Sequence, residues 1–145
     1  MRYEWGPRED VRAVDAFVTA NGASVMTDGS GDVTWTGADP ATIVATASGS
    51  GTTIVNMAGS GATATLTLPD GGATSWNVSN VELDDAQVSA YVYSNIALAR
   101  DRIINPGADA FFNSGPVLIE VNNPSDCNGF SDGTVVYLYQ SSPGC

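Results

Sequence analysis

The chain has 145 residues, of which 16 are acidic, 5 are arginine and none is lysine or histidine, so its formal net charge is −11. This length holds one ordinary domain or two small ones. The negative charge repels phosphate backbones and disfavours anionic membranes, so we expect neither a nucleic-acid nor a membrane partner. The lack of histidine excludes Ser-His-Asp and Cys-His nucleophile systems and histidine-based zinc sites within this sequence.

Residues 1–82 show the pattern of a small antiparallel β-sandwich. The segment is rich in glycine, threonine and alanine, and its short alternating runs are separated by turn residues such as Asn21-Gly22, a hairpin signal. An alternative for its start is a helix, because Val11, Val14, Phe17 and Val18 also lie at helical spacing. We favour strands. The predicted strands cover residues 14–19, 25–27, 33–36, 42–47, 53–57, 63–68 and 74–78.

Residues 83–145 change character and predict one long helix followed by a short antiparallel sheet. Asp84 and Asp85 suit a helix N-terminus, apolar residues then follow helical spacing, and Pro106-Gly107 ends the helix, which we place from about Asp85 to Ile104. Two strands follow, over residues 116–121 and 134–139. The sequence therefore predicts an α+β, β-rich fold with a boundary between residues 82 and 83.

Cys127 and Cys145 are the two cysteines of the chain, and they flank the last predicted strand. They could form a disulfide or remain as two free, partly buried thiols. We favour the disulfide, because both lie next to loop-forming residues, and a disulfide indicates an oxidising compartment. Residues 1–5 lack the apolar core of a signal peptide, so we expect either a cytosolic protein or a segment of a longer precursor. The cysteines favour the second.

Other motifs have simpler interpretations. Asp28 and Asp32 flank a Gly-Ser-Gly turn and could bind calcium, although the pattern of a calcium loop is incomplete and a plain turn explains them. Trp5, Trp35 and Trp76 could form a ligand platform, but Trp35 and Trp76 lie on predicted strands, where tryptophans usually pack in a core. The acidity itself fits a soluble surface, or a secreted protein that uses calcium.

The last 60 residues resemble the start of the catalytic domain of thermolysin-like and fungalysin-like zinc metallopeptidases, the gluzincins. The resemblance rests on Asp85-Ala86-Gln87 opening an amphipathic helix with Tyr91 and Tyr93, on a strand over 116–121, and on the segment from Cys127 through Asp132-Gly133-Thr134 into a strand ending at Tyr139. In that family an Asn-Ala-Phe-Trp run occupies the equivalent place, and secreted relatives have cysteines where Cys127 and Cys145 stand here.

The resemblance implies a role for three residues. Asn128 would contact the backbone of a peptide substrate through its side chain, Gly129 would contribute main-chain groups, and Phe130 would anchor the strand in the core. The physical basis is an exposed strand edge that binds an extended peptide through backbone hydrogen bonds. Gly129 and Ser131 replace the alanine and the aromatic residue that are usual in the family.

Residues 25–33 resemble, by a short Thr-Asp-x-x-Gly turn, prealbumin-like sandwiches of the carboxypeptidase-regulatory type. Together the two resemblances imply the front part of a secreted zinc metallopeptidase that ends before its HExxH motif. Such a fragment would supply scaffold and a substrate-aligning edge, with no cofactor of its own, zinc in the parent protein, and calcium as a further option.

Two other classes of function compete with this hypothesis. One is a non-catalytic extracellular β-sandwich module for binding or adhesion, which explains the composition without a missing half. The other is a pro-region or inhibitor that offers a strand to a protease. Under the peptidase hypothesis the partner is a peptide or protein substrate. An exposed strand around residues 135–139 also predicts self-association between copies.

Overall fold

The structure, a computed structural model, describes residues 9–78, 80–108, 115–124 and 128–140. Within them the chain forms eight strands, one long helix and a 3-10 turn at Pro106–Ala108, which confirms the predicted α+β, β-rich class. The elements are β1 (Ala16–Ala20), β2 (Ala23–Met26), β3 (Ala41–Gly49), β4 (Thr52–Asn56), β5 (Thr63–Leu68), α1 (Glu82–Ile104), β6 (Val117–Asn123), β7 (Gly129–Ser131) and β8 (Val135–Tyr139).

Strands β1, β2, β3 and β5 form an antiparallel group, which we call the N-terminal sheet. Its first hairpin turns at Asn21 and Gly22, whose φ angles of 49° and 83° are those of a type I′ turn. The hairpin prediction is confirmed, and the helical alternative for residues 11–18 is wrong where β1 forms. Strand β5 has the predicted bounds and pairs with β3 from Ala41↔Leu68 to Thr46↔Thr63.

Two predicted strands, over residues 33–36 and 74–78, do not form. The first run lies between Gly31 and Gly37, whose φ angles of 77° and 107° turn the backbone away from an extended ladder. Its alternation is nevertheless real, because Val33 and Trp35 are half-buried and pack against the core, while Thr34 and Thr36 are exposed. The alternating pattern over residues 33–36 therefore indicates that every second side chain is buried, and it does not indicate pairing with another strand.

Strands β4, β6, β8 and β7 follow one another in the second group, which we call the C-terminal sheet. Strand β4 pairs with β6 in parallel, β6 pairs with β8 in parallel, and β7 pairs with β8 antiparallel. The expectation of an antiparallel sheet after the helix is therefore wrong for β6 and β8. The physical reason is that the chain reverses direction between β6 and β7 and again at the turn between β7 and β8, so β8 runs in the same direction as β6.

Helix α1 lies between β4 and β6 in the chain and packs on β3, β4 and β6. A parallel pair needs a long crossover, and α1 lies within that connection. The helix begins at Glu82, three residues before the predicted start, and its N-cap is Val81, which makes no side-chain capping bond. The predicted capping role of Asp84 and Asp85 is therefore wrong, but both lie in the first turn, where carboxylates complement the helix dipole.

One face of α1 is fixed to the strands by polar side chains as well as by apolar packing. Gln87 is only 1% exposed, and its Oε1 accepts a hydrogen bond of 2.7 Å from the backbone N–H of Ala62. One turn later, the hydroxyl of buried Tyr91 donates to the carbonyl of Val14 at 2.9 Å. Burial raises the pKa of Tyr91 to about 12. The helix is therefore hydrogen-bonded to the segment before β1 and to the segment before β5, in addition to its packing on the strands.

Strand pairing crosses the predicted domain boundary, because β4 precedes residue 82 and β6 follows residue 83. The N-terminal and C-terminal sheets also meet within β3, where Ser48 pairs with Thr53 of β4. The division into 1–82 and 83–145 stays a prediction. Within the described ranges, the structure contains no helix with the length and apolar character needed to cross a membrane.

Candidate peptide-binding edge

Strand β7 carries the predicted site and is the last strand of the C-terminal sheet in the order that the structure describes. It pairs with β8 in the register Gly129↔Leu138, Phe130↔Tyr137 and Ser131↔Val136. Asn128 precedes β7 and extends the ladder, because the N–H of Tyr139 donates to the Asn128 carbonyl at 3.1 Å. The predicted edge segment is therefore a strand edge in the structure.

The ladder decides which backbone groups of β7 face outward. In an antiparallel pair, consecutive residues alternate between groups directed at the partner strand and groups directed away from it. Asn128 bonds to β8, and so does Asp132, whose N–H donates to the Val135 carbonyl at 3.3 Å. Phe130, midway between them, also faces β8. Gly129 and Ser131 consequently direct their N–H and C=O groups away from β8, to the side on which none of the described strands pairs with β7.

The side chain of Asn128 lies at this open edge. Its Oδ1 accepts a hydrogen bond of 2.8 Å from the N–H of Gly129, one of the outward-facing groups. Asn128 is exposed, so its amide is accessible next to the outward groups of Gly129 and Ser131. An amide has both donors and an acceptor, so it can exchange this bond for bonds to an incoming backbone.

The turn between β7 and β8 is held by the carboxylate of Asp132. Its Oδ1 accepts from the N–H groups of Thr134 and Val135, both at 2.8 Å, and from the Thr134 hydroxyl at 2.7 Å. Its Oδ2 accepts from the Tyr137 hydroxyl at 2.9 Å. These bonds, led by that from the Val135 N–H, hold the pKa of Asp132 well below its usual range. Gly133, with φ of 93°, provides the left-handed residue that the two-residue turn requires.

Phe130 is not in the core, so the expectation that it anchors β7 there is wrong. Its side chain is 48% exposed and stacks on Tyr137 with ring centroids 4.5 Å apart, and on Tyr139 at 6.1 Å. The reason is the register. Phe130 lies opposite Tyr137, and Tyr139 is two residues further along β8, so the three side chains share one face of the sheet. We call these three rings the aromatic patch.

The aromatic patch lies on the face of the C-terminal sheet that is opposite to α1. Thr52 of β4 bonds to Asn95 of the helix through its hydroxyl at 3.2 Å, which fixes the helix side of β4. Val55 is an odd number of positions from Thr52 on β4, so its side chain points to the opposite face. Glu120 on β6 and Tyr137 on β8 are aligned with Val55 by the strand register. Alternation therefore places them on the outer face.

Asn128, Gly129 and Phe130 lie in and next to β7, and their contacts to substrate stay predictions. Sequence reasoning did not identify Asp132, Tyr137 or Tyr139 as parts of the site. The Asp132-Gly133 dipeptide is itself a hairpin signal, and Tyr137 and Tyr139 alternate on one strand face, so both features were visible in the sequence. Cys127 and Cys145 lie outside the described residues, and so does their predicted disulfide.

Among the residues that the structure describes, no group of three histidine, cysteine, aspartate or glutamate side chains is placed to hold an ion. Asp28, the calcium candidate, directs Oδ1 at the N–H groups of Ser30 (2.7 Å) and Asp32 (3.0 Å). Hydrogen bonds from these two amides, that of Asp32 first, lower the pKa of Asp28. This geometry is that of a plain turn, and calcium stays a prediction.

Comparison with protein-family models, curated proteins and solved structures found no match in any of the three. The resemblance to gluzincins therefore rests on the residues themselves. What stands independently of it is the geometry: the last strand in the described sheet order, an amide beside it, a turn built on one carboxylate, and an exposed Phe130 stacked on the half-buried Tyr137 and Tyr139.

Proposed function

We propose that β7 binds an extended peptide as an additional strand, and that the chain serves as a non-catalytic, substrate-aligning part of a secreted zinc metallopeptidase. The observation that supports this most is the direction of the backbone groups of Gly129 and Ser131, which face away from β8 at the end of the sheet. Backbone hydrogen bonds to such an edge provide affinity that is independent of peptide sequence.

The role of each residue follows from its position. Ser131 offers an N–H donor and a C=O acceptor to a peptide backbone. The Asn128 amide, which now accepts from Gly129, would release that N–H or donate its own NH₂ group to a peptide carbonyl. The turn at Asp132 keeps β7 extended, because its four hydrogen bonds fix the hairpin from the other end.

The parent activity, peptide hydrolysis by a zinc-bound water, would come from residues that this sequence lacks. The metal ligands would have to follow Cys145 in the gene, as an HExxH helix with a glutamate on a later helix. Reading the coding sequence downstream of Cys145 tests this part. A stop codon there would contradict the peptidase parent and leave a peptide-binding module.

A second candidate is an extracellular binding module that uses the surface of the N-terminal sheet. One observation favours it: Phe17 and Met26 are cross-strand partners on β1 and β2, and each is 48% exposed. Such a pair would be the apolar centre of a contact surface on this sheet. This surface is separate from β7, so changes in β7 distinguish the two functions.

The experiment compares Ser131→Pro with Ser131→Ala in an NMR titration against a blocked, uncharged peptide rich in threonine and valine. Both variants lose the hydroxyl that bonds to Val135 and Gly133, but only proline also removes the outward N–H. We expect Ser131→Ala to retain binding, with shifts confined to residues 128–132, and Ser131→Pro to weaken it about tenfold, the effect of one lost hydrogen bond to an unpaired carbonyl. Equal binding by the two variants would contradict the proposal.

A further inference from the structure

The aromatic patch is bordered by negatively charged side chains. Asp132 bonds to the Tyr137 hydroxyl through Oδ2, and Glu120 is the register partner of Tyr137 on β6, so two carboxylates border the stacked rings. The sequence from residue 103 to residue 145 contains no lysine or arginine. The rings of Phe130, Tyr137 and Tyr139 therefore lie in a region that attracts cations and has no cationic side chain nearby in sequence.

The geometry of the open edge places one peptide side chain over this patch. Phe130 forms its backbone hydrogen bonds with β8, so an antiparallel peptide on the other side of β7 would face it in a non-hydrogen-bonded pair. In such pairs the Cα atoms are about 4.5 Å apart and the side chains are in their closest contact. The peptide residue opposite Phe130 therefore lies beside its exposed ring, on the outer face of the sheet.

We infer that the peptide residue opposite Phe130 carries a basic side chain, arginine in preference to lysine. The inference rests on the proposed function, and it names the class of peptide that the edge selects. A guanidinium stacks flat on an aromatic ring and keeps its charge at every physiological pH, while the ring faces and neighbouring carboxylates attract it. Glu120 and Asp132 add attraction that salt weakens, since both are near the surface.

The test uses two blocked peptides that differ only in their central residue. It is arginine in one, the only charged residue of that peptide, and its neutral isostere citrulline in the other. Amide chemical-shift titrations of the whole chain give the dissociation constants of both. We expect the arginine peptide to bind about three- to fivefold more tightly, the effect of one exposed cation–π contact. Its side-chain protons should also move upfield on binding, because they enter the ring current of Phe130.

The variant Phe130→Leu separates the patch from the charge of the whole molecule. It keeps an apolar side chain on an exposed strand and leaves the net charge at −11. We expect the arginine peptide to lose more affinity than the citrulline peptide, so that the arginine preference falls towards one. A preference that persists in Phe130→Leu, or an arginine peptide without upfield shifts in the native chain, would overturn the inference and leave the proposed function intact. Binding of neither peptide would contradict both.

Discussion

The N-terminal sheet and the edge of the C-terminal sheet are stabilised by different means. The first is held by close packing, with Ala16, Ala20 and Ala41 buried between strands and Tyr91 of α1 in the same cluster. The edge hairpin of β7 and β8 has an exposed first strand, and its turn is held by four hydrogen bonds to the carboxylate of Asp132. Because the two regions depend on different interactions, we expect single substitutions to perturb the scaffold and the candidate site separately.

The largest expected effect comes from Gly49→Ala, at the point where β3 passes from one sheet to the other. A Cβ at this position would lie 2.2 Å from the carbonyl oxygen of Asp15 and 2.6 Å from the Tyr91 hydroxyl. Relief of these contacts requires movement of β1 or α1, so we expect a loss of about 3 kcal/mol in the free energy of unfolding, the upper end of typical overpacking costs. Chemical denaturation measures it. The control Gly61→Ala, with no atom within 4 Å, should change stability little.

The next effect is that of Tyr91→Phe, which removes the hydrogen bond between the helix and the Val14 carbonyl. An unpaired acceptor here should cost about 1–3 kcal/mol. The native chain should also lose stability between pH 10 and 12, because the folded pKa is raised to about 12 and the unfolded tyrosine ionises first. The variant should lack this part of the pH dependence.

Asp132→Asn should affect the hairpin and spare the N-terminal sheet. Because the pKa of Asp132 is lowered in the folded state, its contribution is present above the unfolded pKa and is lost as the pH falls through the folded value. We therefore expect hydrogen-exchange protection in β7 and β8 to decrease as the native chain is acidified below about pH 4, the ordinary range of an aspartate. The variant should show low protection already at neutral pH. Asp10→Asn, which removes an equal charge outside the hairpin, should behave as the native chain.

The smallest effect is a gain, from Gly129→Ala. A Cβ there would contact the Leu138 side chain at 3.4 Å and the Tyr137 carbonyl at 3.5 Å, which is ordinary packing distance. Since alanine has fewer unfolded conformations than glycine, we expect stabilisation of about 0.4–1 kcal/mol and a more ordered edge. Thermal unfolding measures the change. A loss of stability would show that β7 needs the flexibility of glycine.

The predictable parts of the fold are those with local signals. Asn21-Gly22 fixes a hairpin through backbone conformations that few residue pairs adopt, and the turn residues on either side of β5 fix its bounds. The parallel pairing of β4 and β6 was not predictable, because it joins residues separated by a whole helix. The hairpin of β7 and β8 also has a local signal, because Asp132-Gly133 is a dipeptide typical of tight turns between strands.

The environment of the site was harder to predict than its position. Phe130 was expected in the core, because hydrophobic aromatic residues on strands are usually buried. Its exposure follows from the register with Tyr137 and from the sheet face that α1 leaves open, and both are properties of the pairing and not of local sequence. The same applies to Glu120, which lies between buried Ile119 and Val121 but faces outward.

The proposed function depends on the direction of the Ser131 N–H, and hydrogen exchange at single-residue resolution tests it most directly. In the free chain, we expect slow exchange for the Phe130 amide, which faces β8, and fast exchange for the Ser131 amide, which faces away from β8. Addition of the uncharged peptide should slow exchange at Ser131 and leave Phe130 unchanged. A Ser131 amide that is already protected in the free chain, or that stays unprotected when the peptide is bound, would contradict the account.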